Sequence, residues 1–155
     1  MPRQPISTTS TNSASANTAH ATFRADKPGS YTAQLVVNDG SSNSAPDTVT
    51  ITTVNSPPVA KAGPDQSATV GTTVTLSASG SSDVDNDTLT FRWTLRVRPS
   101  GSAASLTSNT GVSTRFTIDI AGDYIADLVA NDGKVDSAVD SVTVSTTNSK
   151  PVAKP

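Results

Sequence analysis

The sequence predicts an all-β fold, and three observations carry that expectation. All 13 acidic residues are Asp and none is Glu, so the chain lacks a strong helix former and is rich in a residue that favours turns and caps. Val and Thr recur in alternating runs, the period-two pattern of half-buried strands. Short clusters of Gly, Asn, Asp and Ser punctuate those runs. Only 34% of the residues are hydrophobic and 15% are charged. That is enough for a thin two-layer core, because each strand needs an apolar residue only at every second position.

The elements come in order between residues 56 and 147. Residues 73–78 alternate Thr and Ser with Val74, Leu76 and Ala78. Residues 89–98 alternate more fully, with Leu89, Phe91, Trp93, Leu95 and Val97 on one face and Thr90, Arg92, Thr94, Arg96 and Arg98 on the other. Phe116 and Ile118 mark a further strand. Tyr124, Ala126, Leu128 and Ala130 share a face of the next, and Val142 and Val144 close the set. Period two gathers each apolar set into one buried layer. Gly71-Thr72, Gly80-Ser81-Ser82, Gly122-Asp123 and Asn131-Asp132-Gly133 read as the intervening turns. Trp93 sits centrally in the third major strand, and Tyr124 starts the penultimate one. These are the places of the core Trp and the corner Tyr of an immunoglobulin-like β-sandwich. With no Cys, there is neither an inter-sheet disulfide nor a thiolate metal site.

The chain repeats itself at an offset of 93 residues: Phe23 falls on Phe116, Tyr31 on Tyr124 and Asn38-Asp39-Gly40 on Asn131-Asp132-Gly133, with 22 identities in the 39 ungapped positions from Phe23 to Lys61. A tandem array is therefore expected. Residues 56–147 form a complete unit, residues 1–55 only the second half of one, and residues 148–155 the start of the next.

Several runs together resemble a known family: Pro58-Val59-Ala60-Lys61-Ala62-Gly63-Pro64-Asp65-Gln66, Gly80-Ser81-Ser82-Asp83-Val84-Asp85-Asn86-Asp87, Phe91-Arg92-Trp93, Gly122-Asp123-Tyr124 and Val129-Ala130-Asn131-Asp132-Gly133. The complete unit is similar to the polycystic-kidney-disease (PKD) domain. It departs from the vertebrate-type pattern after Trp93, where residues 94–101 replace a short Gly-Asp-Gly turn. The longer segment looks like the bacterial variety found in tandem in large secreted and surface proteins. The resemblance implies a secreted or cell-surface setting and a spacer, adhesion or accessory binding role without catalysis. The N-terminal residues 1–12 lack a charged-then-apolar signal pattern, so an export signal is expected outside this chain.

The acidic loop Asp83-Val84-Asp85-Asn86-Asp87 is the foremost candidate site. Alternating carboxylates are how a short loop wraps a hard cation in oxygen, and the resemblance to secreted PKD domains implies calcium as the candidate ion. In this topology Asp132 and Asp136 of the last inter-strand loop share the same end of the sandwich. Five carboxylates there would repel one another unless a cation, or Arg and Lys side chains, intervened. The loop lacks the Gly and terminal Glu of an EF-hand, and a hydrogen-bonded Asp turn is the plainer reading. The row Arg92, Arg96 and Arg98, with Arg115, reads either as a polyanion patch or as cross-strand ion pairs, with Asp127 placed to meet one of the arginines. The phase of Trp93 and Tyr124 puts them in the core rather than on a carbohydrate-stacking platform.

A single His at position 20, no Cys and no Glu leave little for acid–base or nucleophilic catalysis, so no enzyme is expected. The net charge of −2 gives no case for nucleic acid. No apolar run reaches the ~20 residues of a membrane span. Asn86-Asp87-Thr88 fits a glycosylation acceptor, and residues 7–15 and 100–114 are Ser/Thr-rich. The half-unit carries Phe23, Tyr31, Leu35, Val37, Val49 and Ile51 in inward phase with no Trp-bearing strand to cover them. Neighbouring repeats or copies of the chain are therefore the expected partners. The tail Lys150-Pro151-Val152-Ala153-Lys154 is a candidate donated strand for a head-to-tail filament. Extracellular polysaccharide or protein is the alternative partner.

Overall fold

The computed structural model describes residues 20–147. The tract 7–15, the repeat start 148–155 and its candidate donated strand lie outside the described residues. The chain divides into two compact units, Met1–Asn55 and Ser56–Pro155. Among the described residues every regular element is a strand.

The first unit holds one antiparallel hairpin, β1 (Gly29–Leu35) and β2 (Asp47–Thr53), whose register pairs Tyr31 with Ile51 and Ala33 with Val49. The second unit holds β3 (Gln66–Ala68), β4 (Thr73–Ser77), β5 (Thr90–Val97), β6 (Ser113–Thr117), β7 (Asp123–Asn131) and β8 (Asp140–Thr146). They form a four-stranded sheet in the order β3-β8-β7-β5 and a two-stranded sheet of β4 and β6.

The two sheets of the second unit are the layers of an immunoglobulin-like sandwich. Val74 and Leu76 of β4 and Phe116 of β6 meet Trp93 of β5 and the inward residues of β7 and β8 in one core. Leu128, Ala130 and Val142 are wholly buried, and each buried Leu or Val contributes roughly 1.5–3 kcal/mol relative to exposure. The alternation read in residues 89–98 holds: Trp93 is buried, Phe91, Leu95 and Val97 are half-buried, and Arg92, Arg96 and Arg98 are exposed. A register shift between Leu95 and Val97 bends β5 near its end.

The sequence pattern misses β3. Val59 first bridges Ser82 beside β4, with N–O distances of 2.8 and 3.0 Å. After Gly63, at φ 88°, the chain crosses to the other layer and runs parallel to β8. Three residues are too few to show a period. Two carboxylates tie this crossover segment to the sheet: Asp140 accepts from the Ala62 N–H at 2.7 Å, and Asp65 accepts from the Thr143 N–H at 2.8 Å.

The edge of β5 is closed by the loop before β6. The Trp93 N–H donates to the Asn109 carbonyl at 2.8 Å, and the indole N–H donates to the Gly111 carbonyl at 3.0 Å. The corner Tyr is formed as well, with the Tyr124 hydroxyl 2.7 Å from the Ile120 carbonyl it donates to. That hydroxyl also lies 2.8 Å from Asp119 Oδ1.

Candidate functional site

The loop from β4 to β5 and the loop from β7 to β8 meet at one end of the sandwich, as the topology requires. The contact is a salt bridge: Lys134 Nζ lies 2.7 Å from Asp87 Oδ2. That hydrogen bond, with the added negative potential of Asp132 and Asp85, raises the Lys134 ammonium above its ordinary range. Lys134 is the cationic side chain that pairs with the acidic loop at Asp87. It is not among the residues the sequence singles out.

Each of the five candidate aspartates has a structural task. Asp83 Oδ1 accepts from the N–H groups of Asp85 and Asp87, at 2.8 and 3.2 Å, and thereby folds the loop back on itself. Asn86 sits at its tip with φ 58°, in the left-handed region that Asn tolerates. Asp85 Oδ2 accepts from the Ser56 N–H at 2.7 Å and anchors the start of the domain. Asp132 is buried, and its Oδ1 accepts from the N–H groups of Lys134 and Val135, both at 2.7 Å. Asp136 accepts from the Asn131 side-chain amide at 2.8 Å and faces Arg92 at 3.6 Å. The oxygen left over is Asp83 Oδ2, which is buried without a hydrogen-bond partner. Calcium takes six to eight oxygens, and among the described residues no three of these side chains are grouped to hold a metal ion.

The arginine row is divided among separate partners. Of the arginines that Asp127 is placed to meet, Arg96 pairs with it at 2.7 Å across β5 and β7, and Ser141 on β8 also donates to Asp127. Arg98 donates to the Ala104 carbonyl at 2.7 Å. Trp93 and Tyr124 are in the core, so neither is a stacking platform. Beside Arg92 an open groove of about 470 Å³ is lined by Phe91, Asn109, Val129, Asn131 and Asp136. At the opposite end of β7, Asp119 accepts from the Ser102 hydroxyl at 2.6 Å and from the Ala103 N–H at 2.6 Å. The Ser102 and Tyr124 hydroxyls hold its carboxyl at about 2, well below the usual carboxylate value.

Similarity to known proteins agrees with this geometry. The chain is similar to the mouse (Mus musculus) dyslexia-associated protein KIAA0319-like protein, with 32% identity over 130 residues that make up 80% of this chain and 12% of that protein. Among solved structures it is similar to a nucleoside hydrolase-related hypothetical protein from Saccharophagus degradans that is associated with carbohydrate metabolism. That likeness has a TM-score of 0.53 and 27% identity, over 60% of this chain and 26% of the other. The PKD domain from KIAA 1837 protein shares the fold, with a TM-score of 0.51 and 24% identity over 65% of this chain and 99% of that domain. The chain thus spans only a small part of the longer proteins it resembles. Residues 55–146, more than half of the sequence, match the PKD domain family, and the chain belongs to it.

Proposed function

We propose that the chain is a non-catalytic structural link in an extracellular or cell-surface protein built from repeated PKD units. The observation that carries this reading is the hairpin β1–β2, which has the register of β7–β8 displaced by 93 residues. It is followed by the short, Pro-bearing junction Asn55-Ser56-Pro57-Pro58. A short Pro-bearing junction restricts the backbone between units. PKD domains are non-catalytic modules, and the family together with the KIAA0319-like relative points to an extracellular or cell-surface setting. No helix among the described residues is long and apolar enough to cross a membrane.

A second reading, an accessory module that binds polysaccharide or protein, is favoured by the groove at Phe91, Arg92 and Asp136. It also draws on the carbohydrate-metabolism association of the Saccharophagus degradans protein. Binding of the full chain to immobilised polysaccharides and extracellular-matrix proteins separates the two. The link reading expects no saturable binding. Saturable binding that Phe91→Ala and Arg92→Ala abolish would establish the accessory module instead. Light scattering tests assembly between separate chains: a constant mass near 15.7 kDa excludes an end-to-end filament, and growth with concentration supports one.

A further inference from the structure

Among the described residues the hairpin of Met1–Asn55 repeats several contacts of β7–β8, yet its inner face is exposed. Tyr31 donates to the Lys27 carbonyl at 2.6 Å, as Tyr124 does to Ile120 at 2.7 Å. Phe23 stands 5.6 Å from Tyr31 at 39°, and Phe116 stands 5.3 Å from Tyr124 at 38°. The Val37 N–H donates to Ser44 Oγ, as the Ala130 N–H does to Ser137 Oγ. The loop aspartates Asp39 and Asp132 each gather two N–H groups from the residues two and three positions on. The exposure of the apolar face differs. Leu35, Val37 and Val49 are 62%, 59% and 57% exposed, while Leu128, Ala130 and Val142 are each at 0%.

We infer that this face is a docking surface for the front half of a PKD unit of the same repeat, of the kind that residues 56–115 supply ahead of Phe116. In the second unit the interface already exists: Val74 and Leu76 of β4, Trp93 of β5 and Phe116 of β6 pack on β7 and β8. The β1–β2 hairpin continues that interface in the same register, with Leu35 and Val49 in the places of Leu128 and Val142. In the second unit the covering strands and their loops occupy residues 73–117. A contiguous apolar face with two open strand edges is otherwise a liability for a soluble protein. The inference is independent of any ligand the module binds.

The test is a chain in which a second copy of residues 56–115 replaces residues 1–22, which restores the 93-residue period. The expected result is that amide exchange at Val49 and Ile51 slows by about 10³-fold or more, the protection of a domain core. Leu35→Asp in the same fusion should remove that protection while the Val142 amide stays protected. A fusion whose Val49 and Ile51 amides exchange as fast as before overturns the inference. The unaltered chain gives a second measurement that needs no refolding of a new variant. There Val49 should exchange far faster than Val142, in a monomer by light scattering. Equal protection, or a dimer that protects the hairpin, would mean that another surface or a second copy covers this face, and would overturn the inference as well.

Discussion

Replacing Tyr124 by Phe removes one hydroxyl and leaves the ring, so it isolates the hydrogen bonds of the corner. The hydroxyl donates to the Ile120 carbonyl at 2.7 Å or to Asp119 Oδ1 at 2.8 Å, and it accepts from the Ile120 N–H at 3.1 Å. A hydrogen bond contributes about 0.5–1.5 kcal/mol net, and a buried partner left unpaired costs about 1–3 kcal/mol. Tyr124 itself is wholly buried, so the expected loss lies in the range of about 1–3 kcal/mol. Each kcal/mol lowers the midpoint of a domain of this size by about 4–8 °C. Urea unfolding followed by tryptophan emission measures it, and because the sequence has a single Trp at position 93, the signal reports the complete sandwich alone. Tyr31→Phe deletes the matching hydroxyl in the uncovered hairpin and should leave that curve in place. The reasoning fails if Tyr124→Phe unfolds at the wild-type midpoint, or if Tyr31→Phe shifts it equally.

Three further outcomes are expected. Asp119 is held at about 2 against an ordinary value of 3.8, so its contribution is complete above pH 3.8 and is lost as pH falls towards 2. Thermal midpoints between pH 5 and 2 should fall less steeply in Asp119→Asn. Gly122 has φ 142°, and a Cβ there would lie 2.8 Å from Pro99 Cγ. Gly122→Ala should therefore cost about 1–3 kcal/mol, read by the same urea curves. Calcium in the millimolar range should move the midpoint of the unaltered chain by less than ~1 °C, because Lys134 already supplies the positive charge at Asp87. Lys134→Ala should make the midpoint calcium-responsive. A rise of several degrees in the unaltered chain, reversed by a chelator, would assign an ion to Asp83, Asp85, Asp87, Asp132 and Asp136.

The sandwich was legible because its long strands alternate cleanly. Residues 89–98 name their own buried face, and Tyr124, Ala126, Leu128 and Ala130 name the surface opposite. The same phase logic placed Asp127 to meet one of the arginines, and the structure makes that partner Arg96. β3 was not legible, since its three residues are fixed by β8 and by the carboxylates of Asp65 and Asp140 rather than by a pattern of their own. At the Asp-rich end the sequence located the loops and named the hydrogen-bonded Asp turn beside the cation reading, without naming the partners Ser56 and Lys134. Whether neighbouring carboxylates wrap an ion or fold onto N–H groups depends on angstrom-scale backbone placement, and Ser56 and Lys134 lie far along the chain from the carboxylates they meet.

The parallel pairing of β3 with β8 has a mechanical consequence. The strand that enters the domain and the strand that leaves it run side by side in the same direction, with Gln66 beside Val144 and Ala68 beside Thr146. A pull on the two ends of the unit therefore drags these strands past each other along their length. Their hydrogen bonds, including Thr147 N–H to the Ala68 carbonyl, are sheared together instead of being unzipped one at a time. The Ala62–Asp140 and Thr143–Asp65 ties span the same seam and resist the same displacement.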